Sequence, residues 1–223
     1  MRVCVYSLEG NELGAAGAGA LAEALKLNAV LSSLNLSRNN LTNNGKDMSG
    51  IQALAAALSS GSSVLTDLDL SSNNIRNDGA IAIAGALSSG MAVLTSIDVS
   101  YNKIGKEQAL SLVSIFKEKD QMKSIGLAYC DLGVDGAKAV ADYVSGSAVL
   151  SSLDISYNNL CGLDYKSKGS YDPSGIQAIA AALSSGSSVL TSLDISSNNL
   201  ADQTNYIKAT EVEGDSKEVG AKV

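Results

Sequence analysis

The sequence lacks histidine and tryptophan, and it has a single phenylalanine, Phe116, and a single proline, Pro173. Without histidine the chain has no His-dependent catalytic triad, and it loses the commonest general base and most zinc-site chemistry. A GxxxxGK[ST] phosphate-binding loop is also absent, and the glycine-rich stretch 14–20 is typical of a helix start with small residues. We therefore predict that the chain is not an enzyme and uses no metal and no cofactor.

Positive charge is also scarce. The 16 Lys and Arg residues are outnumbered by 23 Asp and Glu residues, which gives a net charge of −7 and a pI near 4.6. Because nucleic-acid binding needs a basic patch, we predict no nucleic-acid partner. No apolar run approaches the roughly 20 residues of a membrane span, so we predict no membrane insertion. The three cysteines form no CxxC pair, which favours reduced thiols and an intracellular, cytoplasmic location.

What the sequence does contain is repetition. Residues 49–75 return as residues 174–200 with four changes in 27 positions. A catalytic site needs unique residues, so this recurrence favours a stacked structural unit. The pattern L-x-x-L-x-L-x-x-N-x-L occurs in seven copies, numbered here in chain order: 3–13, 31–41, 65–75, 94–104, 122–132, 150–160 and 190–200.

Each copy predicts a short strand followed by a turn. The apolar fourth and sixth residues alternate with polar ones, which is the period of a strand with one buried face. Since a helical stretch separates successive copies, the strands must run parallel. A ninth-position amide can pair backbone groups at the turn, whereas a thiol can do so only weakly. The ninth positions hold Asn11, Asn39, Asn73, Asn102, Cys130, Asn158 and Asn198.

These copies resemble the leucine-rich-repeat family, specifically its ribonuclease-inhibitor-like type with repeats of about 28 to 29 residues. Successive ninth positions are 28, 34, 29, 28, 28 and 40 residues apart. The resemblance implies a right-handed α/β solenoid with a parallel sheet on the concave face and helices on the convex face. It also implies that the concave face recognises a protein. We assign residues 1–200 to this domain and residues 201–223 to a tail or partial cap.

The two long spacings place insertions around residues 43–48 and 161–175, both between a strand and the next helix. Such insertions are tolerated at small entropic cost, and this alone explains them. Alternatively, the second insertion forms one rim of a binding surface.

A recurrent acidic position is the first candidate site. Position five holds Asp69, Asp98, Asp154 and Asp194, and Asp67 is a third-position exception to a serine column. Either these residues only keep the sheet soluble, or their mutual repulsion is relieved by a partner with a basic surface. Calcium suits carboxylates but needs an enclosing set of oxygen ligands that the repeats do not offer.

A tyrosine row is the second candidate site. Tyr101, Tyr129 and Tyr157 occupy the eighth position of three consecutive copies, with Tyr129 in the middle, and Tyr165 and Tyr171 lie in the second insertion. Tyrosine provides a large contact area with little side-chain entropy to lose, so we predict exposed rings that bind the partner. The alternative is that the rings pack on one another and shield the turn.

Three functions follow from these observations. The first is a non-enzymatic protein-binding module, and the second is a structural or scaffolding segment of a larger repeat protein. The third is regulation of a GTPase, because Ran GTPase-activating proteins resemble this repeat class. However, Arg2, Arg38 and Arg76 match no motif of those proteins.

Overall fold

The computed structural model describes residues 4–59, 64–91, 93–164, 166, 168–185 and 188–201. In this part of the chain, seven short strands alternate with six helices. The strands are β1 (Cys4–Ser7), β2 (Leu31–Asn35), β3 (Asp67–Asp69), β4 (Ser96–Asp98), β5 (Ser124–Gly126), β6 (Ser152–Asp154) and β7 (Ser192–Asp194). The helices are α1 (Gly14–Lys26), α2 (Ser49–Ser59), α3 (Arg76–Ser89), α4 (Lys106–Lys117), α5 (Gly133–Gly146) and α6 (Ser174–Ser184).

The strands form one parallel sheet in the order β1 to β7, so each copy pairs with the next one in the chain. The register matches equal positions of the pattern: Leu34 lies beside Leu68, and Leu68 beside Ile97. Each position of the pattern therefore becomes a column of side chains that crosses the sheet. This architecture confirms the predicted α/β solenoid.

The core lies between the sheet and the helices. Leu68 and Leu70, the fourth and sixth residues of the third copy, are at most 2% exposed, and the helix residues Ile51 and Leu54 are equally buried. Aliphatic residues fill most of this layer, and Phe116 is fully buried. The first copy departs from the pattern, because its fourth residue, Tyr6, is 56% exposed.

The ninth-position asparagines form a ladder along one edge of the sheet, which is buried from the second copy onwards and exposed at Asn11. The Oδ1 atom of Asn73 accepts the backbone N–H of Asn39 at 2.9 Å, and its Nδ2 donates to the carbonyls of Leu36 and Leu70. The side chain thus satisfies the turn in its own copy and in the preceding one. This confirms the predicted role of the column.

Cys130 fills the same position with a weaker hydrogen-bonding group. Its Sγ lies 3.6 Å from the carbonyl oxygen of Ala128, and burial raises the pKa of the thiol. Burial therefore favours the neutral thiol, and the contacts of Cys130 are those of packing and the turn.

The second insertion folds back onto the seventh copy. Leu163 and Gly169 form an antiparallel bridge within the loop. Asn199 donates its Nδ2 to the carbonyl of Asp164 at 2.5 Å, and the Tyr171 hydroxyl donates to the carbonyl of Leu200 at 3.1 Å. The insertion is therefore fastened to the neighbouring turn.

Residues 202–223, which include most of the predicted tail or cap, lie outside the described part. Among the helices that the structure describes, none combines the length and the apolar character needed to cross a bilayer.

Candidate functional site

The sheet face that displays the third and fifth columns forms a shallow depression, called here the concave face. It has a volume of about 420 Å³ and extends from β2 to β6. No lysine or arginine stands among its described lining residues. Its polar lining is Ser33, Asn35, Asp67, Asp69, Ser96, Asp98, Ser124, Ser152 and Asp154.

The fifth column has a structural role that the sequence analysis missed. In the third copy, Asp69 Oδ1 accepts the backbone N–H of Ser71 at 2.9 Å, which stabilises the turn at the end of the strand. In the second copy, Asn35 Oδ1 accepts the N–H of Ser37 at 2.8 Å in the same way. The same contact occurs at Asp98, Asp154 and Asp194. The signal was present in the sequence as a recurrent Asp-x-Ser or Asn-x-Ser.

Asn35 and the aspartates of the fifth column make the same turn contact but differ in charge. Asn35 makes the turn contact with a neutral amide, so the turn does not require a carboxylate. The negative charge at the other positions therefore has no explanation in the turn itself.

Asp98 lies between Asp69 and Gly126 in the register of the sheet. Burial raises the pKa of its carboxyl above the ordinary value, and the neighbouring Asp69 and Asp154 add a smaller effect in the same direction. Its side chain occupies the space beside Gly126, where an added Cβ would collide with the carboxylate. The glycine thus provides the room for Asp98.

Asp67 differs from these residues, because it belongs to the third column. Its Oδ2 accepts the hydroxyl of Thr66 at 2.6 Å, and the side chain is half-buried. It contributes a further carboxylate to the lining of the concave face.

The tyrosine row lies where the strands end. Tyr101, Tyr129 and Tyr157 are 43%, 53% and 47% exposed, as predicted from the eighth position. The rings also contact one another: Tyr101 stacks on Tyr129 with centroids 5.9 Å apart and an interplanar angle of 14°. Tyr101 lies 5.9 Å from Tyr157 as well, with the rings tilted by 59°. Tyr101 therefore contacts both other rings, and Tyr129 is not the centre of the cluster.

The backbone holds these tyrosines in a conformation that most residues avoid. Their φ angles are 57°, 56° and 56°, in the left-handed region that carries a steric cost for a side chain with a Cβ. Gly10, at the same position of the first copy, has a φ of 70° and open space around a Cβ. Three of the seven copies thus carry a tyrosine at a position whose left-handed backbone is easiest for glycine.

A second depression, called here the rim groove, lies beside the tyrosine row. Its volume is about 400 Å³. It runs between the eighth-position tyrosines and the tenth-position residues of copies four to six, and the second insertion contributes Asp164. The lining residues are Lys103, Ile104, Gly105, Tyr129, Asp131, Tyr157, Asn159, Asp164 and Ser197.

The two tyrosines of the second insertion do not extend the exposed row in the described structure. Tyr171 is half-buried, and its hydroxyl is engaged with Leu200. Tyr165 lies outside the described residues. The insertion instead reaches the row through Asp164, a residue that the sequence analysis did not select.

The chain is similar to a family model and to solved structures of known proteins. A family model described as "Leucine Rich repeat" matches residues 27–45, 61–84, 91–113 and 186–203. A solved structure described as leiomodin-1 actin-binding site 2 is 20% identical with a TM-score of 0.54, over 63% of this chain and 78% of that one. A leucine-rich repeat-containing protein, LegL7 from Legionella pneumophila, is 19% identical with a TM-score of 0.47, over 90% and 68%. No curated protein matches the sequence.

Proposed function

The chain is a leucine-rich-repeat protein, and from that premise we propose that it is a non-enzymatic module whose concave face binds a protein with a basic surface. Repeats of this kind are typical of protein-interaction scaffolds. The observation that carries the proposal is the carboxylate column on the concave face, whose charge the strand-end turn does not need.

The neighbouring carboxylates of the fifth column repel one another and so destabilise the sheet. Asp69 lies beside Asp98 in the register, and Asp154 beside Asp194. Adjacent strands are about 4.8 Å apart, and like charges directly opposite each other destabilise a sheet. The lysine and arginine side chains of a partner would relieve this repulsion, and they would be attracted before contact.

The tyrosine row supplies the contact area that the serine-rich concave face lacks. Its rings are about half exposed, on a left-handed turn that Ser72 and Ser197 share in their own copies. We assign the partner contact to Asp67, Asp69, Asp98, Asp154 and Asp194 together with Tyr101, Tyr129 and Tyr157. Tyr165 and Tyr171 remain part of the prediction only as neighbours at the rim. The cytoplasmic location also stays a prediction.

The test is affinity capture from the source cell with the wild-type chain and with a triple variant, Asp69→Asn, Asp98→Asn and Asp154→Asn. Asparagine keeps the turn contact, as Asn35 does naturally, so the variant removes charge and preserves the fold. We expect the variant to capture much less of the partner. Capture of the partner by the wild-type chain should also weaken at high ionic strength.

The matched control is Asp142→Asn, which removes an exposed carboxylate from α5 on the convex side. It should leave capture unchanged. If the triple variant and the control capture the partner equally well, the concave face is not the binding surface.

A further inference from the structure

The rim groove combines aromatic walls with negative charge. Tyr129 and Tyr157 present exposed rings, and the carboxylates of Asp131 and Asp164 lie on the same groove. Its volume of about 400 Å³ holds one long side chain with room for solvent. This combination of ring faces and carboxylates is suited to a cation.

Asp164 is a preorganised anion. Its Oδ1 accepts the backbone N–H groups of Lys166 and Lys168, each at 2.8 Å. The hydrogen bond from Lys168 is the largest cause of a lowered pKa, so the carboxyl is charged at neutral pH. The bond from Asn199 to the Asp164 carbonyl fixes the backbone at this point.

The groove carries more negative than positive charge. Among the described residues that line it, Lys103 is the one cation, against Asp131 and Asp164. Within the described residues, Asp131 has no ion-pair partner within 4.0 Å. The groove therefore has a carboxylate outside any ion pair, as well as ring surface that the contacts with Tyr101 leave exposed.

We propose that the rim groove binds one arginine side chain of the partner that the concave face recognises, an inference that rests on the proposed function. The planar guanidinium can stack on a tyrosine ring while its N–H groups donate to Asp164, and Asp131 adds negative charge to the same groove. A lysine ammonium is a strongly hydrated point charge and makes no planar stack, so arginine is the preferred occupant.

In the first experiment the tyrosine rings of the chain are labelled with ¹³C. The chain is titrated separately with N-acetyl-arginine amide and with N-acetyl-lysine amide, and binding is measured by NMR. We expect saturable shifts at Tyr129 and Tyr157 and binding of the arginine probe about two- to fivefold tighter than that of the lysine probe. Asp164→Asn keeps the Oδ1 acceptor and removes the charge, and it should weaken arginine binding about two- to fivefold. The matched control, Asp142→Asn on the convex side, should not change it.

Tyr157→Gly tests the ring itself. A glycine fits the left-handed backbone at this position, so loss of the ring should not unfold the chain. We expect the Tyr129 signal to lose its response to the arginine probe. The control, Ser72→Gly, changes the same position of a copy that does not line the groove, and it should leave that response intact.

The inference is overturned if the arginine probe gives no saturable shift, if arginine and lysine bind alike, or if Asp164→Asn has no effect. Its failure is distinct from failure of the proposed function. If the arginine probe does not bind but the triple Asp variant loses the partner, only the rim-groove inference is contradicted. A probe that binds, together with a triple variant that captures the partner normally, sinks the concave-face proposal alone.

Discussion

Residues 49–75 and 174–200 have nearly the same sequence and very different surroundings. Leu65, Leu68, Leu70 and Ile75 are at most 2% exposed. Their counterparts Leu190, Leu193, Ile195 and Leu200 are only partly buried. The register pairs β3 with strands on both sides, whereas β7 pairs only with β6 among the described strands. The same side chain is thus core in one copy and half surface in the other.

This difference teaches that a repeat does not bury its own apolar face. The fourth copy and its helices cover the third, and within the described residues nothing lies beyond the seventh. Stability in such an array is a sum over the units and the interfaces between neighbours, so equal sequences make unequal contributions.

The largest effect should come from the core. Leu68→Ala removes a fully buried side chain, and we expect it to cost about 2 to 5 kcal/mol of the free energy of unfolding. Leu193→Ala removes the same group from a partly covered site, and it should cost roughly half as much or less. Urea unfolding of both variants measures the comparison. Equal costs would mean that the seventh copy is covered by chain outside the described residues or by another molecule.

The ladder should give the next largest effect. Asn73→Ala leaves the buried N–H of Asn39 and the carbonyl of Leu36 without their side-chain partner, at about 1 to 3 kcal/mol, whereas the carbonyl of Leu70 keeps its bond from Asn102. Asn198→Ala should cost less, because two of its three donor contacts are only part-buried. Asn73→Cys is the control.

That control reproduces the residue found at position 130, so it should fall between wild type and Asn73→Ala in urea unfolding. If the cysteine variant is as unstable as the alanine variant, the weak thiol contacts contribute nothing to the turn.

Glycine substitution at the eighth position should have a smaller effect on stability, and the effect should be the same in residues 49–75 and in residues 174–200. Ser72 and Ser197 have φ angles of 58° and 55°, so the left-handed cost is local and independent of burial. Glycine relieves that cost and loses more chain entropy on folding. We expect Ser72→Gly and Ser197→Gly each to stabilise by about 0.5 to 1 kcal/mol in thermal unfolding. Unequal values would show that tertiary contacts set this conformation.

The smallest effect concerns pH. Burial, with Asp69 and Asp154 adding to it, raises the pKa of Asp98 in the folded state. The favourable contribution of the protonated group is present below about pH 3.8 and is lost as the pH rises through the raised value. Asp98→Asn should therefore be more stable than wild type near neutral pH. The gain should shrink towards pH 4. A gain that does not depend on pH would contradict this origin.

Much of the fold could be predicted because its signals are local and repeated. The fourth and sixth positions, the ninth-position asparagines and the spacing of the copies indicate the strand, the turn and the order of the sheet. The eighth position was also predicted to be exposed, and the reason is that the strand has ended and the backbone there is left-handed, which breaks the alternation of the fourth and sixth positions. The turn role of Asp69 was equally local, and the Asp-x-Ser spacing could have indicated it.

What lay beyond prediction depends on contacts between distant residues. Tyr101 contacts both Tyr129 and Tyr157. These contacts depend on the side-chain conformations of the three rings, which the repeat pattern does not specify. Asp164 lines the rim groove from a loop that Asn199 and other residues distant in the sequence hold in place.

The sequence by itself determined the repeating unit, its strand, its turn and the acidic column, because these depend on residues a few positions apart. Only the tertiary structure decided which apolar faces are covered and which side chains meet in the rim groove. The physical reason is that burial and electrostatic environment belong to the neighbours of a residue, and residues 49–75 and 174–200 share a sequence without sharing neighbours.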